Sequence, residues 1–296
     1  MDWLFGRLRQ RNTGIAERKG AEDGERDYIF GEGEAEISRL NFQHYMFRYA
    51  FSGDFSAPLS APPRNVLDVA CGTGRWAREI ARRFPRANVI GFDINRDQLD
   101  ASLAEGTESL PENCAFVIGD ALQRFGFQDA TFDFTMARAC SAFIPVAKWP
   151  HVVGEMARVT QPGGWVELRD FGLVRSPTAA LNELTVKFAD MAQARGIHPG
   201  AGPFLKQYLE AAGLRDIAVR RITVRSGSPS RVTRAGQLML TDYLALLERV
   251  TPLAAQAGLM PAERWQRLVA QAREETRMFP DKQYAEVELT AACGRR

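Results

Sequence analysis

The sequence predicts an α/β fold in which a mostly parallel sheet is covered by helices on both faces. Three observations lead to this prediction. Between residues 65 and 170, short apolar runs alternate with segments of helical periodicity, the pattern of a parallel sheet. Glycine and proline punctuate the ends of the helical segments. The chain of 296 residues is 45% hydrophobic, so it can bury a full core.

The first half of the chain divides into an arm, a cap and a core. Residues 1–36 are rich in charge and are expected to form a loosely ordered arm. A helical cap is predicted over 37–63, with its helix at 35–51. The core, 64–172, has predicted strands at 65–70, 88–93, 114–119, 132–137 and 165–170, joined by helices at 75–84, 98–105 and 151–159.

The second half is more helical, and we assign it with the cap and core to a single domain, 37–296. Helices are predicted at 179–194 and 203–212 and strands at 216–225 and 284–292, while 226–283 contains helices at 238–255 and 262–277. We interpret 226–283 as a helical lid inserted into the sheet, because structureless loops of that length are uncommon in compact domains.

Composition excludes several classes of protein. The net charge is +2, from 38 basic and 36 acidic side chains, so nucleic acid is not an expected partner. No apolar run reaches the ~18 residues of a membrane span. The four cysteines form no CxxC pair, which argues against a metal site or a disulfide framework and fits a cytoplasmic protein. The oligomeric state cannot be derived from these features.

A glycine-rich turn carries the chemistry. The segment 66–77 reads as a buried strand that ends in Gly72 and Gly74 and leads at once into a helix. Glycine allows a tight turn and a close approach of the ligand, and the helix N-terminus attracts anionic groups. Asp93 ends the next strand 19 residues after Gly74, where a ribose hydroxyl partner is expected. The glycines alone do not distinguish NAD from another nucleoside cofactor.

Three further features narrow the choice of cofactor. Asp68 lies inside the first strand, where a carboxylate suits an ammonium group better than a pyrophosphate. Asp120 follows the third strand, where it can accept a hydrogen bond from an adenine amino group. A Pro-Gly-Gly turn at 162–164 joins the helix at 151–159 to the fifth strand.

With these motifs, residues 64–172 resemble the class I S-adenosylmethionine-dependent methyltransferases. The resemblance implies a Rossmann-like sheet of seven strands, the last antiparallel, and S-adenosyl-L-methionine as cofactor. It also implies that the methionine part and the ribose lie against the glycine turn, that Asp93 binds the ribose hydroxyls and that Asp120 meets the adenine. Carried over position by position, the expected cofactor-binding residues are Asp68, Ala70, Gly72, Gly74, Asp93, Ile94, Asp120, Ala121 and Arg138.

The expected reaction is direct displacement at the sulfonium methyl, with a small molecule as acceptor because a closed lid would exclude large polymers. Four alternatives stay open: a protein acceptor, an RNA acceptor, a regulator that binds the cofactor without turnover, and an NAD(P)-dependent oxidoreductase. The sequence assigns no catalytic residue. If a base is needed, the candidates are His44, Tyr45 and His198, each of which also has a structural interpretation.

Overall fold

The computed structural model describes residues 15–17, 34–105, 109–227, 234–277 and 284–296. Within them, eight strands form one sheet. The strands are β1 Ile15–Glu17, β2 Asn65–Val69, β3 Asn88–Asp93, β4 Cys114–Ile118, β5 Phe132–Arg138, β6 Thr160–Phe171, β7 Arg215–Gly227 and β8 Tyr284–Arg295. The α-helices are α1 Glu34–Phe51, α2 Arg75–Arg83, α3 Arg96–Glu105, α4 Trp149–Val159, α5 Ala179–Ala194, α6 Leu205–Ala211, α7 Arg234–Arg249, α8 Thr251–Gln256 and α9 Ala262–Arg277.

The strand order is β1-β4-β3-β2-β5-β6-β8-β7, and the predicted fold class is confirmed. Strand β2 lies at the centre and pairs in parallel with β3 on one side and β5 on the other. From β2 the chain first adds β3 and β4 on one side of the sheet and then adds β5 and β6 on the other side. In open α/β sheets, ligands bind in the crevice at the carboxyl ends of the strands where this reversal occurs.

The last strand is antiparallel, as the resemblance implied. Strand β8 lies between β6 and β7 and runs antiparallel to both, with Leu168 opposite Ala292. All seven predicted strands are present, and β1 adds a short eighth strand that pairs in parallel with β4. This strand falls within the predicted arm; residues 1–14 and 18–33 of the arm lie outside the described residues.

Two segments are built differently from the sequence prediction, while several other elements begin or end a few residues away from their predicted bounds. The helix predicted at 238–255 is two helices, α7 and α8, and Pro252 occupies the first turn of α8. Proline has no N–H to bond the preceding turn, so it starts a new helix more readily than it continues one. The Pro-Gly-Gly segment lies inside β6, whose pairing with β5 shifts register between Phe132 and Phe134. Gly163 there has a φ of +83°.

Apolar residues cover both faces of the sheet. Along β2, Val66 packs with Trp76 and Ile80 of α2 on one face. The neighbouring Leu67 packs with Trp149 of α4 on the other face, as the alternation of side chains along a strand requires. A third apolar cluster joins α5, α7 and α9 to β8. In the described part of the chain, no helix combines the length and apolarity needed to cross a membrane.

Candidate active site at the carboxyl edge of the sheet

A cavity of about 310 Å³ opens at the carboxyl ends of β2, β3, β4 and β5. One side is formed by the turns that follow these strands, and the other by helices α1, α5 and α7. Of the residues predicted from sequence, those that line the cavity are His44, Ala70, Gly72, Asp93, Ile94, Asp120, Ala121 and Arg138. Its position is the one expected for a ligand of a doubly wound sheet.

Three residues of the glycine turn adopt the left-handed backbone region, and the space around the two glycines differs. Ala70, Gly72 and Gly74 have φ angles of +53°, +57° and +67°. A Cβ on Gly72 would meet the Leu40 side chain at an ordinary 3.5 Å, whereas a Cβ on Gly74 would lie 2.3 Å from the Phe116 ring. Gly72 therefore keeps the cavity wall free, and Gly74, which does not line the cavity, lets the turn pack on β4.

The carboxylate of Asp93 ties this turn to the end of β3. One oxygen accepts a hydrogen bond from the Gly72 N–H at 2.7 Å, and the other accepts one from the Asn95 N–H at 2.9 Å. Burial raises the pKa of Asp93, and these backbone hydrogen bonds oppose the rise. Because each carboxylate oxygen has two lone pairs, Asp93 can still accept hydrogen bonds from a bound ligand.

The residues after β3 and β4 form a second, less polar part of the wall. Ile94 lines the cavity and is 44% exposed, which is unusual for a large apolar side chain. Asp120 lies beside it and accepts a hydrogen bond from the Leu122 N–H at 2.8 Å. Ala121 is buried and lines the same cavity. Such a surface can stack against a flat ring and bind its polar edge.

Asp68 and Arg138 carry opposite charges behind the glycine turn. Asp68 is 1% exposed and does not line the cavity, whereas Arg138 does. Among the described residues, Asp68 Oδ2 and Arg138 Nε are buried and have no hydrogen-bond partner. Burial raises the pKa of Asp68 to about 7, although the positive charge of Arg138 opposes the rise. Because Arg138 lines the cavity, its unsatisfied buried donor indicates a binding site for a polar ligand group.

His44 connects Arg138 to Glu79. Its Nδ1 lies 3.2 Å from Arg138 Nη1 and its Nε2 lies 3.1 Å from Glu79 Oε2. Arginine can only donate, so Nδ1 accepts and Nε2 donates to the carboxylate. Burial lowers the pKa of His44. Burial by itself would raise the pKa of Glu79, but the hydrogen bond from His44 helps to hold that pKa at about 2. Both ring nitrogens are thus engaged within the protein.

The other two candidate bases do not line the cavity. The Tyr45 hydroxyl accepts a hydrogen bond from Arg75 at 2.6 Å. His198 Nδ1 accepts one from the Gly200 N–H at 3.2 Å, and its ring packs against Phe204 at 5.0 Å between centroids. Each therefore has a structural role in a loop or helix contact.

The turns after β2, β3, β4 and β5 form what we call the cofactor edge of the cavity. Sequence reasoning expected a helical lid opposite this edge but named none of the α7 residues that line the cavity. Helix α7 contributes four residues to the cavity at the helical spacing i, i+3, i+4 and i+7, a signal that was available in the sequence: Met239, Asp242, Tyr243 and Leu246. Ser141 also lines the cavity and donates a 2.6 Å hydrogen bond to Asp170. Burial raises the pKa of Asp170 to about 6. In the described ranges, no cluster of side chains suits a metal ion.

Comparison with known proteins finds a family match for the part of the chain that forms the cofactor edge. Residues 66–164, which include the glycine turn, Asp93 and Asp120, match the family described as a methyltransferase domain. This stretch is therefore a methyltransferase domain, in agreement with the resemblance to the class I S-adenosylmethionine-dependent methyltransferases. Its cofactor is therefore S-adenosylmethionine, and the chain is an enzyme of methyl transfer.

Two curated relatives extend the similarity. The methyltransferase str2 of Strobilurus tenacellus is 26% identical over 243 residues, which cover 78% of this chain and 84% of the relative. The demethylmenaquinone methyltransferase of Deinococcus radiodurans is 39% identical over 115 residues, which cover 38% of this chain and 45% of that protein.

A solved structure shares the fold of this methyltransferase. The phosphoethanolamine N-methyltransferase 2 of Haemonchus contortus, solved with phosphomonomethylethanolamine and S-adenosylhomocysteine, is similar at a TM-score of 0.50 and 15% identity. The alignment covers 88% of the present chain and 58% of that longer chain. At this identity the likeness concerns the fold alone.

Proposed function

We propose that this methyltransferase acts on a small-molecule acceptor by direct displacement at the methyl group. One observation carries the proposal: the cofactor edge and the walls from α1, α5 and α7 enclose the same cavity. When bound, S-adenosylmethionine supplies a methyl group activated by its positive sulfur. An acceptor held in the remainder of the cavity would lie beside that group.

Several residues fit the cofactor. Asp93 would accept hydrogen bonds from the ribose hydroxyls while it holds the glycine turn, and Ile94 would pack against the adenine beside Asp120. Arg138 would meet the carboxylate of the methionine part, and Asp68 would provide negative charge near its ammonium group. The buried Nε of Arg138, which has no partner among the described residues and belongs to a residue that lines the cavity, supports the placement of Arg138.

The protein would contribute alignment and exclusion of water. Fixing two reactants in a near-attack geometry is worth up to ~7–11 kcal/mol in favourable cases. Helices α1, α5 and α7 shield the site from solvent on the side away from the sheet. Because both nitrogens of His44 are engaged within the protein, His44 would hold Arg138 in place and would not take a proton from the acceptor.

The relatives support the acceptor class and the free thiols support a cellular location. The name of the Deinococcus radiodurans relative denotes a small-molecule acceptor, demethylmenaquinone. We also propose a cytoplasmic location, because all four cysteines are buried free thiols.

The test has two stages. Calorimetry with S-adenosylhomocysteine is expected to show binding, and NAD⁺ is expected to give no heat. Purified protein with methyl-labelled S-adenosylmethionine is then offered a small-molecule panel and, separately, protein and RNA fractions. Label in a small molecule supports the proposal, and label confined to protein or RNA contradicts it. Tight cofactor binding with no transfer to any acceptor would favour the non-catalytic regulator.

A further inference from the structure

The part of the cavity that faces away from the glycine turn has an apolar wall. We call it the acceptor chamber, and it is bounded by Phe47, Phe171, Phe188, Met239, Tyr243 and Leu246. These residues come from α1, the end of β6, α5 and α7, so separate elements converge on one space. Each of them except the half-buried Phe171 is at most 9% exposed. The chamber is a feature of the packed core and not of the surface.

The one hydroxyl on this wall is already used. Tyr243 donates a hydrogen bond to Thr185 Oγ1 at 3.0 Å, and Thr185 in turn donates to the Leu181 carbonyl at 2.8 Å. Burial raises the pKa of Tyr243, so its hydroxyl stays neutral. The tyrosine therefore offers the chamber the apolar part of its ring.

Two pairs of aromatic rings contribute to the chamber wall. Phe47 and Phe171 have ring centroids 4.9 Å apart with their planes inclined by 43°. Phe188 and Tyr243 form an edge-to-face pair at 6.4 Å and 83°. Aromatic pairs in such arrangements favour a further ring over a flexible chain, since offset and edge-to-face contacts contribute beyond the area they bury.

The charges that border the chamber neutralise one another. Arg39 Nη1 donates to Asp242 at 2.9 Å, and its other nitrogens donate to Glu36 at 2.7 and 2.8 Å. Arg249 lies 3.5 Å from Glu36, so two arginines face two carboxylates. Arg39, Glu36 and Asp242 are each at most 6% exposed. A charged acceptor would have to disrupt this network or remain buried without a partner, and both are costly.

We propose that the acceptor is an uncharged, mainly aromatic molecule that binds in this chamber. The inference rests on the proposed function, because the methyl donor defines the other half of the cavity. It assigns the chamber wall to acceptor binding and the network of Arg39 and Asp242 to discrimination against acidic analogues.

The experiment compares two probes of similar shape. Calorimetry is carried out at pH 7 on the full chain saturated with S-adenosylhomocysteine, with 2-naphthol as the neutral probe and 2-naphthoate as the anion. We expect 2-naphthol to bind at least tenfold more tightly than 2-naphthoate. Equal or tighter binding of the anion, or no binding of either probe up to the millimolar range, overturns the inference. Failure to bind S-adenosylhomocysteine would instead overturn the proposed function.

Three variants locate the binding. Phe188→Ala is expected to weaken 2-naphthol at least fivefold without changing the affinity for S-adenosylhomocysteine, which also shows that the variant is folded. Val186→Ala is the control, because Val186 lies on the same helix and is 59% exposed. Asp242→Asn should move the naphthol-to-naphthoate preference toward the anion at least fivefold. An unchanged preference in Asp242→Asn, or an unchanged naphthol affinity in Phe188→Ala, contradicts the assignment.

Discussion

Replacement of Asp93 by alanine tests the cofactor edge most directly. In the structure the carboxylate accepts two backbone hydrogen bonds, from Gly72 at 2.7 Å and from Asn95 at 2.9 Å. It thus shapes the turn before any cofactor arrives, and its remaining lone pairs are directed to the ribose in our proposal. Asp93→Ala removes both functions, whereas Asp93→Asn keeps one acceptor oxygen.

The expected loss follows from the strength of these contacts. A hydrogen bond to a charged acceptor contributes about 1.5–3 kcal/mol net. Loss of two such bonds to the ribose weakens binding by about 3 kcal/mol or more, which is on the order of 100-fold. In Asp93→Ala the Gly72 and Asn95 N–H groups would form hydrogen bonds with water instead. The free energy of unfolding should therefore fall by less than the free energy of cofactor binding. Asp93→Asn should lie between alanine and the natural residue.

Calorimetric titration with S-adenosylhomocysteine measures the affinity, and thermal unfolding measures the stability. Asp97→Ala is the matched control, since Asp97 is an exposed acidic residue in the first turn of the helix that follows. A dissociation constant of folded Asp93→Ala within threefold of the natural protein would refute the assignment of the ribose to this carboxylate.

Four further changes separate effects on cofactor binding from effects on stability. Gly72→Ala should lose at least tenfold in affinity for S-adenosylhomocysteine by calorimetry with a modest fall in Tm, because its Cβ has room in the protein but projects from a cavity wall at a φ of +57°. Gly74→Ala should lose much more Tm, since its Cβ would lie 2.3 Å from a packed ring; a smaller loss than for Gly72→Ala would contradict this. The pKa of Asp68 rises from 3.8 unfolded to about 7 folded, so folding takes up a proton and stability should fall as pH rises from about 4 to about 7. In urea titrations, Asp68→Asn should remove a contribution on the order of 4 kcal/mol to the fall in the free energy of unfolding between about pH 4 and pH 7. A smaller fall of the same sign should remain, because the pKa of Asp170 is also raised, to about 6. Arg138→Met should weaken S-adenosylhomocysteine at least tenfold, and unchanged affinity in a folded variant would exclude Arg138 from the methionine site.

The sheet could be predicted from the sequence because its strands follow local rules. The five core strands are short apolar runs between glycine, proline and charged turns, and the structure contains all of them. The short strand Ile15–Glu17 has no such signature, since three residues within a charged arm show no period. The break before Pro252 was available as a local signal but was outweighed by the apolar pattern on both sides of it.

The candidate site also contains residues that could be predicted from the sequence and residues that could not. Residues of the glycine turn and the ends of β3 and β4 line the cavity where the motif spacing places them. Asp68 and Gly74 belong to the same motif, yet they lie behind the turn, because alternate residues of a strand point to opposite faces and a tight turn buries part of its backbone. The partners of His44 could not be predicted, since they depend on how α1 packs across α2 and β5.

This division follows from which contacts are local in sequence. The residues of the cofactor edge all lie in one stretch of the chain, 66–164. A motif of fixed spacing can therefore specify this edge, and distant relatives can share it. The acceptor chamber draws on α1, α5 and α7. Helix α1 lies more than a hundred residues before the other two, so these helices meet only in the folded chain. Helix α7 lies outside the matched stretch. Selection on the acceptor can therefore change Phe188, Met239 or Leu246 without disturbing the turn that holds the methyl donor, and one fold can serve many acceptors. If the naphthol preference responds to Phe188 and Asp242 while the affinity for S-adenosylhomocysteine does not, the two halves of the cavity are separable in energy as well as in sequence.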